Sequence, residues 1–159
     1  MDDRDVLRRL DERGLELPPT PEPVASYVPV AQAGSIAFVA GQVPLVDGQL
    51  LHPGKVGTSV SVEMGQEAAA RAALQGLSAL RHHLGGFDRL SRIAQVTVFV
   101  AADPEFVEHA TVANGASDLL IDVLGPEGRH ARAAVGTASL PLGSSVEVTL
   151  TAEVVPAPA

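Results

Sequence analysis

Between Ser61 and Leu84 apolar residues recur every three or four positions, at Ala70, Leu74, Leu77, Leu80 and Leu84, which is the period of one helical face. Glu67 lies four residues before Arg71, and Gly85-Gly86 close the segment, so the spacing predicts a long helix with an end signal. Ile93 to Val100 is instead a nearly continuous apolar run, the pattern of a strand covered on both faces. From Val146 to Val155 the chain alternates Val146, Val148, Leu150, Ala152 and Val154 with Glu147, Thr149, Thr151 and Glu153, which predicts a half-buried strand. Ala131 to Ala138 reads as a further strand, and Ser26–Ala33 and Ser35–Ala40 as two more, hinged at Gly34 as a hairpin. Asp103-Pro104 has the form of a helix start, an Asp cap with Pro in the first turn. The second long helix is therefore expected to run to about Leu124, before Gly125-Pro126, with Asn114-Gly115 weakening its middle.

Ahead of these elements, residues 2–13 predict a short charged helix with Val6, Leu7 and Leu10 on one stripe, Asp2 or Asp3 as its cap and Gly14 as its stop. Four prolines fall within Leu17–Pro23 and favour an extended connector. Asp47-Gly48 marks a turn, Gly54 and Gly57 keep the chain irregular to Ser61, and Pro156 onward reads as a tail. The expected organisation is an N-terminal helix and proline-rich arm over residues 1–25, then a single domain over 26–155. The order strand-strand-helix-strand-helix-strand-strand predicts an α+β fold: a mixed β-sheet with two long helices packed on one face. The other sheet face still carries Val, Thr and Ala, and self-association would cover it.

Composition narrows the function classes. Eleven Lys+Arg against nineteen Asp+Glu leave a net charge of −8, a field that repels phosphate backbones and anionic membranes. Aromatic residues make up 3% with no Trp, so base stacking is poorly provided for and nucleic acid is not an expected partner. Without cysteine there is no thiolate nucleophile and no sulfur-based zinc site. Val24 to Val46 lacks charge, but Pro29, Gly34, Gly41 and Pro44 interrupt it, which suits strands and turns and not a membrane span. The acidic start Met1-Asp2-Asp3 carries no secretory or transit pattern, and a cytoplasmic location is the expectation.

No dinucleotide, phosphate-loop, zinc-protease or nucleophile-elbow signature occurs in the chain. His82 and His83 are neighbours on a predicted helix and point about 100° apart, so they do not chelate one ion together; no metal site is expected. The segment Gly128-Arg129-His130-Ala131-Arg132-Ala133-Ala134-Val135-Gly136 stands out. An arginine in a strand of small residues is costly to bury unless an anion meets it. Strand alternation puts Arg132 on one face with Ala134 and Gly136, leaving a small-walled slot beside a guanidinium whose planar fork suits a carboxylate. The competing reading is an internal ion pair of Arg132 with Glu147 or Glu153. His130, between Arg129 and Arg132, is read as a surface loop residue whose pKa those charges depress.

The chain from Tyr27 to Val154 resembles the RidA/YjgF family of small trimeric proteins. Tyr27 before a charge-free strand, Val39-Ala40-Gly41-Gln42-Val43-Pro44, Gln95-Val96-Thr97-Val98-Phe99-Val100, Ala131-Arg132, Leu140-Pro141 and Val146-Glu147-Val148 match its blocks in order. The resemblance implies the RidA/chorismate-mutase-like fold and a homotrimer with intersubunit clefts. It also implies hydrolysis of reactive enamine/imine intermediates, 2-aminoacrylate among them, to 2-keto acids and ammonia without metal or organic cofactor. Under it Arg132 looks like the arginine that binds the substrate carboxylate and Glu147 like the acid that activates water. Tyr27, Asn114 and the backbones of Gly41 and Ala134 would complete the substrate site. The alternative on the same trimer is a non-catalytic carboxylate-binding or chaperone-like module. The sequence departs from the family pattern at Ala40, where deaminase members often carry serine, and at His130 in place of proline. The insertions around residues 47–60 and 118–131 and the Gly-Arg-His-Ala-Arg ending look closest to a longer subgroup.

Overall fold

Ser61 and Gly85 bracket the longest helix as the pattern predicts. The Ser61 hydroxyl accepts from the Met64 N–H, and Gly85 takes the left-handed conformation that ends the helix (φ 75°), a geometry glycine adopts without steric cost. The computed structural model describes residues 1–20 and 26–156. Its helices are α1 (Asp3–Asp11), α2 (Val62–Leu84) and α3 (His109–Leu124). Its strands are β1 (Val30–Ala33), β2 (Ile36–Gln42), β3 (Leu45–Val46), β4 (Gln49–Leu50), β5 (Leu90–Ala101), β6 (Ala131–Thr137) and β7 (Val146–Val154).

Five strands form one sheet in the order β1-β2-β7-β5-β6, antiparallel except for the parallel β5–β6 pair. The fold is thus α+β with a mixed sheet, and α2 and α3 lie together on one face of it. β3 and β4 make a separate hairpin around Asp47-Gly48, both at positive φ (50° and 78°), as a tight two-residue turn requires.

Register sorts the side chains into two faces. The rows Val39–Leu150–Val96–Arg132, Val148–Val98–Ala134 and Val146–Val100–Gly136 run across β2, β7, β5 and β6 toward the helices. The rows Phe38–Thr151–Gln95–Ala131, Thr149–Thr97–Ala133 and Glu147–Phe99–Val135 point away from them. The helix-side valines and Leu150 are buried, whereas Phe38 and Val135 on the opposite face are 50% and 44% exposed.

α1 begins at Asp2, whose carboxylate accepts from the Arg4 and Asp5 N–H groups. It docks through Val6 and Leu10, both buried in the common core. Asp3 locks the joint: it accepts from Arg81 Nε and Nη2 at 2.9 Å and from the Phe87 N–H at 2.8 Å. The Arg81 hydrogen bonds hold its carboxyl below the usual aspartate value. Packing therefore supplies what an isolated nine-residue helix lacks. Of the proline-rich arm, Pro21 to Pro23 lie outside the described residues, as do the last three residues of the tail.

Two expectations are corrected. The second long helix does not start at Asp103-Pro104. The Asp103 carboxylate is taken by Lys55 and Thr58 while its carbonyl accepts from the Phe106 N–H in a turn, so α3 starts six residues later at His109. Nor does the first strand of the hairpin begin at Ser26: residues 26–29 are bent, and pairing starts at Val30 opposite Val39.

Asn114-Gly115 does not interrupt α3. Gly115 faces the α2 backbone so closely that a Cβ there would overlap the Gln66 carbonyl. Gly115→Ala gains about 1 kcal/mol of helix propensity, yet pushing α2 and α3 apart costs roughly 1–3 kcal/mol. The expected result is net destabilisation in urea unfolding, although the substitution favours helix.

Candidate functional site

Arg132 sits on edge strand β6 with its guanidinium turned to α3. Nη1 donates to Asn114 Oδ1 at 2.9 Å and to Ser117 Oγ at 3.0 Å, and Nη2 donates to the Ala110 carbonyl at 3.2 Å. Ala110, Asn114 and Ser117 are four and three residues apart, which places them on one helical face. Nε–H and one Nη2–H have no partner among the described residues. Those two nitrogens share one edge of the guanidinium, the edge a carboxylate grips side-on.

No carboxylate lies within ion-pair distance of Arg132 among the described residues. The internal pair with Glu147 or Glu153 is therefore not formed, and register gives the reason. Arg132 ends a row on the helix side, whereas Glu147 and Glu153 point to the opposite face.

The expected slot beside Arg132 is also changed. Ala134 is half-buried against the core, and the space above Gly136 is filled by the His109 ring, which a Cβ at Gly136 would strike. His109 stacks edge-on with Phe106, centroids 5.1 Å apart, beside an open cavity of about 320 Å³ that Lys55, Asp103 and Thr137 also line. Arg132 itself is exposed in the protomer, not enclosed in a dry slot.

Glu147 is half-buried at the start of β7, opposite Phe99. Burial pushes its carboxyl above the ordinary glutamate value, and no cation offsets this among the described residues. Its side chain lies over Gly41, where any Cβ would collide with the carboxylate. Gly41 is part of a β-bulge: Ala40 and Gly41 together oppose one residue of β7, between the pairs Val39–Leu150 and Gln42–Val148. Buried Gln42 clamps the bulge by donating to the Ala40 carbonyl at 2.9 Å. The Ala40 N–H donates to the Pro29 carbonyl, which ties the bulge to the segment bearing Tyr27, itself 48% exposed.

The candidate residues thus form two groups: Arg132, Asn114 and Ala134 on the helix side, and Glu147 with Gly41 at the bulge on the open face, to which the segment bearing Tyr27 is tied through Pro29. β7 and β6 are separated by β5, about 10 Å at the usual strand spacing. One small molecule does not touch Arg132 and Glu147 of the same protomer.

His130 is not a simple loop residue. It is half-buried, Nδ1 lies 2.6 Å from the Gly128 carbonyl and Nε2 lies 3.0 Å from Ser117 Oγ. Its pKa is lowered first by burial, with Arg132 a lesser contributor. Ser117 went unread in the sequence; the available signal was its place three residues after Asn114. His82 and His83 are exposed on α2, and no cluster of three or more metal-ligating side chains occurs among the described residues.

This sheet and these two helices define a known class. The family described as "YjgF/chorismate_mutase-like, putative endoribonuclease" matches residues 7–154, and the chain belongs to it. Protein TCP17 of Trypanosoma cruzi is 44% identical over 144 residues, 90% of each chain. A crystal structure of a protein of unknown function from Agrobacterium tumefaciens is 41% identical with a TM-score of 0.91, covering 96% of this chain and 94% of that one. Escherichia coli TdcF with bound serine shares the fold at 23% identity and a TM-score of 0.60, covering 84% of this chain and 92% of that one.

Proposed function

We propose that this chain hydrolyses enamine/imine intermediates of the 2-aminoacrylate type to 2-keto acids and ammonia, in clefts formed between the copies of a homotrimer. The observation that carries the reading is the divided guanidinium of Arg132, with three donors fixed on α3 and an outer edge without a partner. An organic carboxylate completes that edge. Serine, bound by TdcF, carries the same group.

The placement of the two half-sites supports a cleft shared between copies, and the family resemblance favours a trimer. Since Arg132 and Glu147 face opposite sides of one sheet, they meet on one substrate when a neighbouring copy brings its Glu147, Gly41 and Tyr27 to the Arg132 edge. The same docking covers Phe38 and Val135 on the open face. In the reaction the imine tautomer of the substrate lies with its carboxylate on Arg132. Glu147 takes a proton from water as the oxygen adds to the C=N carbon, then returns it to the amine nitrogen. This gives a carbinolamine, whose hydroxyl then yields its proton to Glu147 and, through it, to the amine nitrogen; the C=O bond forms as the C–N bond breaks, ammonia leaves and the keto acid remains.

The nuclease wording of the family description fits this chain poorly. A net charge of −8 and 3% aromatic residues oppose a phosphate backbone and give no stacking platform.

The reading is tested by generating 2-aminoacrylate with a serine dehydratase and following pyruvate. Release faster than the spontaneous rate is expected. A rate equal to it removes the deaminase reading and leaves a carboxylate-binding module without turnover. Light scattering should give three times the 16.4 kDa chain mass; a monomer at micromolar concentration removes the shared cleft.

A further inference from the structure

We propose that Ser117 and His130 are positioning residues, and that the hydrogen-bond chain from the Gly128 carbonyl through His130 and Ser117 to Arg132 aims the guanidinium at its ligand. The inference rests on the carboxylate-binding role of Arg132 and assigns its orientation to Ser117, which no block of the family resemblance includes, and to His130, which stands where the family carries proline.

The direction of every bond in the chain follows from chemistry. The Gly128 carbonyl only accepts, so His130 Nδ1–H donates to it at 2.6 Å. A neutral ring then presents a bare Nε2, which accepts from the Ser117 hydroxyl at 3.0 Å. Arg132 only donates, so the lone pair left on Ser117 Oγ receives Nη1–H at 3.0 Å. A serine hydroxyl alone rotates freely and often hydrogen-bonds its own helix. Here His130 takes its proton and turns the lone pair outward, toward β6. Asn114 Oδ1 and the Ala110 carbonyl hold the guanidinium at two further points. Together the three acceptors fix the plane of the fork and leave Nε and Nη2 outermost.

The site is built to keep the ring neutral. His130 is half-buried, and burial with the neighbouring Arg132 charge lowers its pKa. The other charged residues on the elements around it, Asp118 and Asp122 on α3, Arg92 on β5, and Glu127 and Arg129 beside it in the chain, are exposed.

The test uses the intact oligomer and pyruvate as probe. Nitrogen-15 spectra of the His130 imidazole at neutral pH should show the Nδ1–H tautomer; an Nε2–H tautomer overturns the chain. In calorimetry, Ser117→Ala and His130→Ala should each weaken pyruvate binding about tenfold. The double variant should be no weaker than either single one, because they remove one device. His130→Gln, whose amide oxygen reaches toward the position of Nε2, should restore most of the affinity, which separates aiming from folding. Wild-type affinity in Ser117→Ala and His130→Ala, with Arg132→Ala abolishing binding, overturns this inference alone. Pyruvate binding unaffected by Arg132→Ala, or no binding by the wild type, overturns the carboxylate reading and this inference with it.

Discussion

Arg132→Lys is expected to lower kcat/KM for the proposed 2-aminoacrylate hydrolysis roughly a hundredfold, with pyruvate affinity falling in parallel. Arg132 works on two sides at once: three hydrogen bonds inward to Asn114, Ser117 and the Ala110 carbonyl, and an open edge of two donors outward. A lysine ammonium has three donors on one point. If it stays with the helix acceptors it leaves the ligand, and if it reaches the ligand it abandons three acceptors on α3. Losing one charged hydrogen bond and the side-on geometry costs about 3 kcal/mol, roughly a hundredfold. Most of the loss should fall on KM, because the carboxylate keeps its charge while water adds to the neighbouring C=N carbon and is held alike before and during the reaction. The side chain is exposed in the protomer, so the melting temperature should move by only a few degrees. A Lys variant with unchanged pyruvate affinity would show that the fork geometry is irrelevant and that charge alone suffices.

How far this site can be read from the sequence depends on whether its residues carry a period. Strand alternation correctly puts Arg132, Ala134 and Gly136 on one face, and the alternating run of the last strand correctly separates Glu147 from Val146 and Val148. Taken with strand order, those two periods place Arg132 and Glu147 on opposite faces, which is why a single protomer does not bring them together. What resists reading is whatever depends on one polar atom finding another across the fold. Asp103-Pro104 has the composition of a helix start, but Lys55 and Thr58, forty-eight and forty-five residues earlier, take its carboxylate instead. Ser117 has no pattern of its own; it gains a role only because β6 and the residue before it pass beside α3 and offer Arg132 and His130. Gly115 looks like a weak point within a helix and proves to be the contact between two helices. The bulge at Ala40-Gly41 is likewise hidden, since one extra residue in a strand has no signature until its partner strand is laid against it.

Glu147→Gln should abolish most turnover and raise stability at neutral pH, and the two effects have one cause. The carboxyl stands half-buried against Phe99 and over Gly41, and burial raises its pKa. In the proposed role of taking a proton from water it works when ionised, so the acid limb of kcat should lie above an ordinary glutamate's value. Glutamine keeps the shape and removes the base, a loss of roughly a hundredfold to ten-thousandfold, with pyruvate affinity at Arg132 retained. Stability runs the opposite way. A carboxyl whose folded pKa is raised binds its proton more tightly when folded than when unfolded. Its contribution is therefore complete below the unfolded pKa and declines as pH rises through the folded one. Wild type should then lose stability across that window while Glu147→Gln does not, so the melting curves converge in acid and separate toward neutrality. The proposed docking of a second copy over this face would bury Glu147 further and widen the gap. A variant that loses turnover but melts with the same pH dependence as wild type would leave Glu147 a base without the buried setting described here. One that keeps turnover would remove it from the reaction.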